Sequence, residues 1–244
     1  MPALLSVNIN KVALLRNSRG RDVPSLERAI DVCLAAGAHG ITIHPRRDER
    51  HIRLADVPAV AAYLRDNHPG VELNVECEAH PDLIELVVQT RPAQCTLVPV
   101  TPGEVTSDHG WDLPREHDQL VPIIGALRGA GVRTSMFMDV DPTAMAAAAA
   151  TGVDRVELYT GPYAWAWGTA DQKRHIEAMH ATAKAAADVG LALNAGHDLD
   201  AKNLAGMRDL PGLLEVSIGH ALITRALWVG LPTAVAELTA ALGW

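Results

Sequence analysis

Polar and ionisable side chains occur at or just beyond the ends of short apolar runs, and their types are those that transfer protons. The positions are Asn8, Asn10, His44, Glu76, Thr106, Asp139, Glu157, His197, Gly219 and His220. Imidazoles titrate near neutral pH, and a carboxyl group in a desolvated pocket can accept and return protons at pH 7. Any single one could be a hydrogen-bonded scaffold residue, but three histidines and two glutamates around one opening indicate acid–base chemistry.

Basic residues are concentrated between residues 11 and 53, although Lys+Arg 21 against Asp+Glu 29 gives the whole chain a net charge of −8. They are Lys11, Arg16, Arg19, Arg21, Arg46, Arg47, Arg50 and Arg53. The overall charge argues against a nucleic-acid-binding surface. The local cluster indicates a small anionic ligand, and a solvated basic face is the alternative.

Within this cluster the residues differ in their expected partners. Because a guanidinium matches phosphate geometry, Arg46 is a candidate phosphate or hydroxyl contact together with His51. Arg47 and Arg50 are instead expected to pair on the surface with the adjacent residues Asp48 and Glu49.

The elements that must position these side chains alternate along the chain. Strands are predicted at residues 4–10, 40–44, 71–76, 94–100, 133–139, 155–160, 191–194 and 213–218. Helical segments between them include residues 24–36, 80–89, 114–129, 142–151, 169–189 and 200–207. Ser25 and Asp141-Pro142 are typical of helix starts, and Gly37, Gly131, Gly152 and Gly190 follow predicted helix ends.

Eight strands alternating with helices give about 30 residues per unit, the size of a βα repeat. The strands read as apolar on both faces, which favours a parallel sheet covered by helices. The even spacing, and the lack of a GxGxxG motif after the first strand, favour a closed (β/α)8 TIM barrel over an open doubly wound sheet. No linker divides the chain, so we expect one domain over residues 1–244.

In such a barrel the site lies at the C-terminal mouth, and loops after strands seven and eight commonly bind phosphate. Here those strands end in Asn194-Ala-Gly-His-Asp198 and Ser217-Ile-Gly-His220. Glycines let backbone N–H groups approach an anion, and a helix beginning near Ala221 would add its positive end. These loops therefore predict a second anion site.

The remaining composition indicates a reduced, water-soluble protein. The three cysteines have no CxxC spacing, so free thiols are expected. No signal peptide is recognisable, and no apolar stretch approaches the roughly 20 residues of a membrane helix, so we expect a cytoplasmic location. No metal-ligand spacing is present, and no metal or organic cofactor is expected.

Several segments in this order resemble the pyridoxine 5′-phosphate synthase family of the deoxyxylulose-dependent vitamin B6 pathway. They are Val7-Asn-Ile-Asn10, Leu15-Arg-Asn-Ser-Arg-Gly20, Gly40-Ile-Thr-Ile-His-Pro-Arg-Arg-Asp-Glu-Arg-His-Ile52, Leu73-Asn-Val-Glu76, Leu97-Val-Pro99, Glu104-Val-Thr106, Glu157-Leu-Tyr-Thr160, Asn194-Ala-Gly-His197 and Ser217-Ile-Gly-His-Ala221. The resemblance runs from about residue 4 to the last helix. It implies a barrel with extra helices that assembles into homo-octamers, with no nucleic-acid or membrane partner.

The resemblance also implies an activity. The family condenses 1-deoxy-D-xylulose 5-phosphate with 3-amino-2-oxopropyl phosphate, giving pyridoxine 5′-phosphate, inorganic phosphate and water. By the resemblance His44 and Glu76 accept protons, His197 donates one, and Glu157 stabilises a charged intermediate. The amino-ketone phosphate would be held by Asn8, Arg19, Asp198, Gly219 and His220. The deoxyxylulose phosphate would be held by Arg46, His51 and Thr106. A lid is expected over residues 102–111.

This chain departs from many members of the family at a few positions. Asn10-Lys11 replaces Asp-His, Tyr159 replaces His, and Asp198 replaces Gly. Lys11 is expected to pair with phosphate or lie on the surface, and a Schiff-base role is the alternative.

Two other function classes remain open from the sequence. One is a metal-dependent barrel hydrolase using His44, His197, His220 and Asp139. The other is a ligand-binding paralogue that has lost turnover.

Overall fold

The computed structural model describes residues 1–101, 104 and 106–244, and in it strands and helices alternate. The strands are β1 (Leu4–Asn8), β2 (Gly40–Ile43), β3 (Glu72–Cys77), β4 (Gln94–Leu97), β5 (Arg133–Met138), β6 (Arg155–Tyr159), β7 (Ala192–Gly196) and β8 (Leu213–Ile218). The helices are α1 (Asn10–Asn17), α2 (Leu26–Ala35), α3 (Asp56–Asn67), α4 (Pro81–Thr90), α5 (Leu113–Gly129), α6 (Met145–Ala150), α7 (Gly161–Ala166), α8 (Gln172–Asp188), α9 (His220–Val229) and α10 (Leu231–Leu242). Short 3₁₀ helices cover Pro142–Ala144 and Asn203–Gly206.

The eight strands are parallel, pair in chain order and close through β1 and β8. Ser6 of β1 is in register with Gly40 on one side and with Ser217 on the other. The predicted (β/α)8 barrel is therefore confirmed, and the open doubly wound alternative is excluded. Second helices follow β1, β6 and β8, which agrees with the expectation of extra helices. Among the described residues, no helix is both long and apolar enough to cross a membrane.

Local signals in the sequence account for most of the element boundaries. The Ser25 hydroxyl accepts a hydrogen bond from the Arg28 backbone N–H at 3.1 Å and caps α2. Gly131 and Gly190, which follow α5 and α8, have φ values of 81° and 78°. Glycine reaches this left-handed region without a Cβ clash, so these helices end where predicted.

The predicted extension of the first strand to Asn10 is wrong. The strand ends at Asn8, whose side-chain oxygen accepts a hydrogen bond from the Asn10 backbone N–H at 3.0 Å. This local bond turns the chain out of the strand, and α1 begins at Asn10.

The two faces of the strands differ, contrary to the expectation that both are apolar. Residues facing the helices are apolar and buried, as with Val7, Ile41 and Val156. The alternating residues face the barrel interior and are mostly polar. Hydrogen bonds there cross the barrel, since the Asn194 amide of β7 donates to Gln94 Oε1 of β4 at 3.4 Å. A run of mixed residues thus places its apolar half outside and its polar half inside.

Charged groups fill the end of the barrel opposite the C-terminal mouth. Arg133 binds Glu72 through two hydrogen bonds, and Arg155 Nη1 donates to Asn194 Oδ1 at 3.3 Å. Glu215 lies beside them and is buried. Burial is the main cause that raises the pKa of Glu215 to about 7, and the charge of Arg155 opposes this rise.

We predict that the Glu215→Gln variant loses less stability than the native chain as pH rises. Because the folded-state pKa of Glu215 lies near 7 and the reference value is 4.5, the folded state keeps a proton that the unfolded state releases. The stabilisation that comes from this retained proton is fully present below pH 4.5 and is lost as pH rises toward 7. The free energy of unfolding then falls by about 3 kcal/mol. Urea unfolding at pH 5 and pH 7 measures it, with the exposed Glu177→Gln as control. Equal pH slopes for Glu215→Gln and the native chain would contradict the prediction.

Candidate active site

A cavity of about 610 Å³ opens at the C-terminal mouth of the barrel. It is lined by Asn8, Asn10, Lys11, Leu14, His44, Arg46, Arg50, His51, Glu76, Val98, Thr106, Ser107, Asp108, Phe137, Glu157, Tyr159, Trp165, His197, Asp198, Leu199, Ser217, Ile218, Gly219, His220 and Ala221. The cavity is large enough for a small organic substrate, and its walls are unusually rich in ionisable groups.

The pair formed by His44 and Glu76 occupies one wall of this cavity. His44 Nδ1 lies 3.3 Å from Glu76 Oε2, and both side chains are almost fully buried. Glu76 also accepts hydrogen bonds from the Asn8 amide at 3.4 Å and the Ser217 hydroxyl at 3.3 Å. Glu76 is thus surrounded by polar groups of Asn8, Ser217 and His44.

The other nitrogen of His44 is then available for chemistry. Nε2 is buried and has no hydrogen-bond partner in the described part of the chain. The backbone N–H of His44 donates to Asn10 Oδ1 at 2.9 Å, which anchors the end of β2. His44 is thus held through its backbone and through Nδ1, and an imidazole placed in this way can transfer protons through Nε2.

Glu157 lies deeper in the barrel on β6 and is buried. Burial, followed by the charges of Glu76 and Glu215, raises its pKa well above the ordinary range. Thr96 opposes this by hydrogen bonding to the carboxyl group. Burial therefore favours the protonated form of Glu157.

His197 follows β7 and also faces the cavity. Its φ of 90° is in the left-handed region, as is the φ of 56° at Asp198. Its ring meets the Tyr159 ring edge-on, with centroids 5.2 Å apart. Burial lowers the pKa of His197, and the carboxylates of Asp198 and Glu76 partly offset this. The imidazole is neutral at pH 7 when no ligand is present.

A positive lobe of the cavity forms around the loop after β2. Pro45 and Ile52 form a parallel bridge that closes this loop, and the Asn17 amide donates to the His51 carbonyl at 2.6 Å. Burial, followed by the charges of His44, Arg46, Lys11 and Arg50, lowers the pKa of His51 to about 3. Its Nδ1 accepts the Ile52 backbone N–H at 3.0 Å, which leaves Nε2–H as a donor.

The cations around His51 differ in their partners. Arg46 lies 3.5 Å from Glu104, and Arg50 pairs with Asp48 at 2.6 Å as predicted. Lys11 forms no ion pair among the described residues.

Arg16 is not a ligand group, since it is buried and binds Asp56 through two nitrogens at 2.8 and 2.7 Å. Arg47 is exposed.

A second lobe lies between the ends of β7 and β8. The Asp198 carboxylate accepts the Trp165 indole N–H at 2.8 Å, so its charge is turned toward Trp165. Gly219 packs on Asn8, and a Cβ there would lie 3.0 Å from the Asn8 Cβ. In the part of the chain that the structure describes, no side chain caps α9. The first N–H groups of α9 are therefore available to an anion.

Most residues predicted from the sequence line this cavity, but two do not. Arg19 is exposed beyond the end of α1, and Asp139 is exposed and accepts the Gly110 backbone N–H at 3.0 Å. Thr106 lines the cavity from an exposed position. Three residues of the predicted lid, Pro102, Gly103 and Val105, lie outside the described residues.

The ligand set of the hydrolase alternative is not assembled in the described ranges. In those ranges one cluster of potential metal ligands has its ligand atoms within 4.8 Å of one another, and it consists of Glu104, Asp108 and His109. None of these is among the four residues His44, His197, His220 and Asp139.

Sequence reasoning missed the apolar wall of the cavity. Val98, Phe137 and Tyr159 pack together there, with the two aromatic rings 5.5 Å apart. Phe137 is in register with Glu157, so both face the barrel interior. Strand alternation could have identified Phe137, because it stands two residues before the strand-end Asp139 that was selected instead.

We predict that the Gly196→Ala variant destabilises the fold. A Cβ at residue 196 would lie 2.2 Å from Glu157 Oε1, inside any real contact distance, so the buried carboxyl group must move. Overpacking of this kind costs about 1–3 kcal/mol. Urea unfolding measures the change, and Gly125→Ala on α5 is the control because its Cβ meets nothing within 4 Å. Equal stability of Gly196→Ala and the native chain would contradict the packing of Glu157 on β7.

The site geometry accompanies a clear relationship to known sequences. Residues 5–243 match the family described as "Pyridoxal phosphate biosynthesis protein PdxJ". A relative from Albidiferax ferrireducens, named pyridoxine 5′-phosphate synthase, is 50% identical over 241 residues, which cover 96% of this chain and 95% of the relative. The Mesorhizobium japonicum protein of the same name is 46% identical over 246 residues, covering 100% of both chains.

Solved structures with low sequence identity share the fold. Mycobacterium tuberculosis tryptophan synthase superposes with a TM-score of 0.68 at 15% identity, over 100% of this chain and 93% of that chain. The YdjI aldolase of Escherichia coli K12 gives 0.64 at 13% identity, over 99% and 89%. These likenesses support the barrel architecture alone. The sequence relationship goes further, and this chain belongs to the PdxJ family of pyridoxal phosphate biosynthesis proteins.

Proposed function

We propose that this chain is a pyridoxine 5′-phosphate synthase that condenses 1-deoxy-D-xylulose 5-phosphate with 3-amino-2-oxopropyl phosphate. The observation that carries the proposal is that His44, Glu76, Glu157 and His197 line one cavity, together with the cations around His51 and the start of α9. The family membership and the names of the full-length relatives support the same activity. Forming the ring requires imine formation, loss of water and phosphate, and several proton transfers, none of which is a redox step.

His44 and Glu76 are suited to accept protons. His44 lines the cavity, its Nε2 has no hydrogen-bond partner among the described residues, and its Nδ1 lies 3.3 Å from Glu76. When His44 takes a proton, the adjacent carboxylate stabilises the imidazolium. Glu76 retains its own acceptor capacity through Oε1, which faces Ser217.

His197 and Glu157 are suited to the later steps. Burial keeps His197 neutral in the empty cavity, so it must first take up a proton, which the negative charge of a bound phosphate beside it favours. It can then donate that proton to a leaving hydroxyl group. Burial favours the protonated form of Glu157, and a positively charged intermediate next to it would favour loss of its proton. The resulting carboxylate would stabilise that charge in a dry site.

The two lobes are suited to the two phosphates. The lobe of Arg46, Lys11 and neutral His51 offers cations and a ring N–H, which fits the deoxyxylulose phosphate, with Thr106 at its edge. The lobe of Gly219 and His220 offers backbone N–H groups at the start of α9, which fits the amino-ketone phosphate.

Asn8 joins the second lobe to Glu76, whereas Asp198 contributes through its backbone because Trp165 holds its carboxylate. Arg19 lies outside the cavity lining and is exposed, so any contact with substrate requires movement or a neighbouring subunit.

We also propose that the chain forms homo-oligomers, octamers by the family resemblance, and functions in the cytoplasm. Exposed apolar side chains on two neighbouring helices support assembly. Leu15 on α1 is 58% exposed, and Leu227 and Trp228 on α9 are 71% and 80% exposed. Clustered apolar residues of this size commonly mark an interface.

The direct test is to mix the purified chain with the two phosphorylated substrates and follow pyridoxine 5′-phosphate by its absorbance. Turnover that persists after chelator treatment supports the proposal. Binding of both substrates without turnover would support the non-catalytic alternative. Turnover that is lost with chelator and restored by a divalent metal would support metal-dependent chemistry.

We predict that Glu76→Gln lowers kcat by at least about a hundredfold while both substrates still bind, since general acid–base groups contribute about 10²–10⁴-fold. The amide keeps the size of Glu76 but cannot accept a proton or stabilise the His44 imidazolium. Steady-state kinetics and calorimetric binding measure the two effects separately, with Glu85→Gln on the exposed face of α4 as control. A near-native kcat would reject the assignment of Glu76.

We predict that Lys11→Met raises KM for deoxyxylulose phosphate about tenfold or more and changes kcat much less, because one charge-assisted contact contributes about 1.5–3 kcal/mol. Lys11→Arg keeps the charge and should restore most of the binding. A Schiff-base lysine would behave differently, since both variants would lose turnover and borohydride would trap the substrate on the native chain. Loss of turnover in both variants, together with borohydride trapping, would contradict the assignment of Lys11 as a phosphate contact.

A further inference from the structure

Thr160 follows the last residue of β6 and is fully buried next to the turn that carries His197. Its hydroxyl lies 2.6 Å from the Gly196 carbonyl and 2.5 Å from the His197 carbonyl. Its backbone N–H also donates to the Gly196 carbonyl at 2.9 Å. Thr160 therefore contacts the chain on both sides of the point where β7 ends.

The turn that Thr160 contacts is conformationally costly. His197 and Asp198 are consecutive non-glycine residues with φ values of 90° and 56°. Each such residue costs on the order of 1–3 kcal/mol and persists only when its surroundings enforce it. The strand ladder does not extend this far, since the last pair of β6 and β7 joins Tyr159 to Gly196. Besides the Thr160 N–H bond to the Gly196 carbonyl, the hydrogen bonds to this turn within the described residues come from side chains.

Four side chains contact the turn, and three of them come from residues 159–165. Thr160 binds the His197 carbonyl, Trp165 donates to the Asp198 carboxylate at 2.8 Å, and Tyr159 packs edge-on against the His197 ring. The fourth is the buried Asn203, whose amide donates to the Asp198 carbonyl at 3.1 Å. Trp165 is 64% exposed, which weakens its bond through competition with water. Thr160 is fully buried, and its hydroxyl bonds directly to the backbone of the residue that carries the imidazole.

We propose that Thr160 is a positioning residue, whose hydroxyl holds the left-handed turn so that the His197 imidazole points into the cavity. The inference rests on the proposed role of His197 as proton donor. It adds a residue that does not line the cavity and reaches the substrate only through His197. Glu157 lies on β6 shortly before Thr160, so one segment carries Glu157 and also contacts the turn of His197.

Two substitutions distinguish the effect of the Thr160 hydroxyl group from the effect of its methyl group. Thr160→Val keeps the shape and removes the donor, whereas Thr160→Ser keeps the donor and removes the methyl group. Thr160→Val is expected to lower kcat about tenfold to a hundredfold with little change in KM, because a displacement of about 1 Å has effects of that size. Thr160→Ser is expected to stay within a few-fold of the native kcat.

The matched control is Thr151→Val. Thr151 is also buried, and its hydroxyl donates to the Ala148 carbonyl at 2.6 Å after α6. It lies outside the cavity lining, so its loss is expected to affect unfolding but not kcat. Thermal unfolding of all three variants checks that each is folded at the assay temperature.

A titration of His197 tests the inference without any turnover. Asp198, Glu76 and Asp108 raise the pKa of His197, His220 lowers it, and burial is the dominant cause of its low value. In Thr160→Val the freed ring gains water, so its pKa is expected to move up toward the ordinary value. Imidazole NMR of the full chain follows it, and His197→Asn assigns the signal. Thr160→Ser should titrate like the native chain.

The outcomes distinguish this inference from the proposed function. If the native chain shows no synthase activity, the proposed function is rejected. The NMR titration of His197 then still tests the role of Thr160. A native kcat and an unchanged His197 titration in Thr160→Val overturn the inference. If Thr160→Val does not fold, Thr160→Ala carries the same test without added bulk. If both fail to fold while Thr160→Ser is native, the hydroxyl serves the fold, and the inference is also overturned.

Discussion

Three carboxyl groups share the interior of one closed barrel, and they cannot all be ionised there. The charges of Glu76 and Glu215 raise the pKa of Glu157, and the charge of Glu76 also raises the pKa of Glu215. In the low-dielectric interior, one negative charge increases the free-energy cost of ionising the next carboxyl group. Glu76 accepts hydrogen bonds from Asn8 and Ser217 and lies beside the His44 ring. Burial raises the pKa of Glu157 well above its ordinary value, and the hydrogen bond from Thr96 only partly opposes this. The two carboxyl groups of the cavity therefore differ in their surroundings, since polar partners surround Glu76 and burial dominates at Glu157.

The end of β7 shows how closely backbone and chemistry are linked. Gly196 is required because Glu157 Oε1 occupies the space of a Cβ. The chain then leaves the strand through two left-handed residues, and His197 lines the same cavity as Glu157. A side chain at Gly196 would displace the Glu157 carboxyl group. One short segment therefore packs against Glu157 and also carries His197.

The sequence predicted much of this arrangement, because βα repeats and αL glycines are local signals. The barrel, the ends of α5 and α8, and the strand-end positions of His44, Glu76 and Glu157 all follow from such patterns. Tertiary effects were not predictable. Arg16 reads like a phosphate ligand until Asp56 is found beside it, and Asp139 stands at a strand end yet turns outward to the Gly110 backbone. The polar interior was also missed, since alternation in short strands is masked by their apolar outer faces.

The placement of the positive groups follows from the same electrostatic constraint. A cation next to Glu157 would favour its ionised form and remove the proton that the buried acid carries. The groups that shift the pKa of Glu157 are instead two carboxyl groups and Thr96. Lys11, Arg46 and Arg50 act on His51 at the rim, where its neutral ring tolerates them. On the other side the donors are backbone N–H groups of α9, whose partial charges attract phosphate without a full cation. The positive groups thus lie around His51 and at the start of α9, and none of them is among the groups that shift the pKa of Glu157.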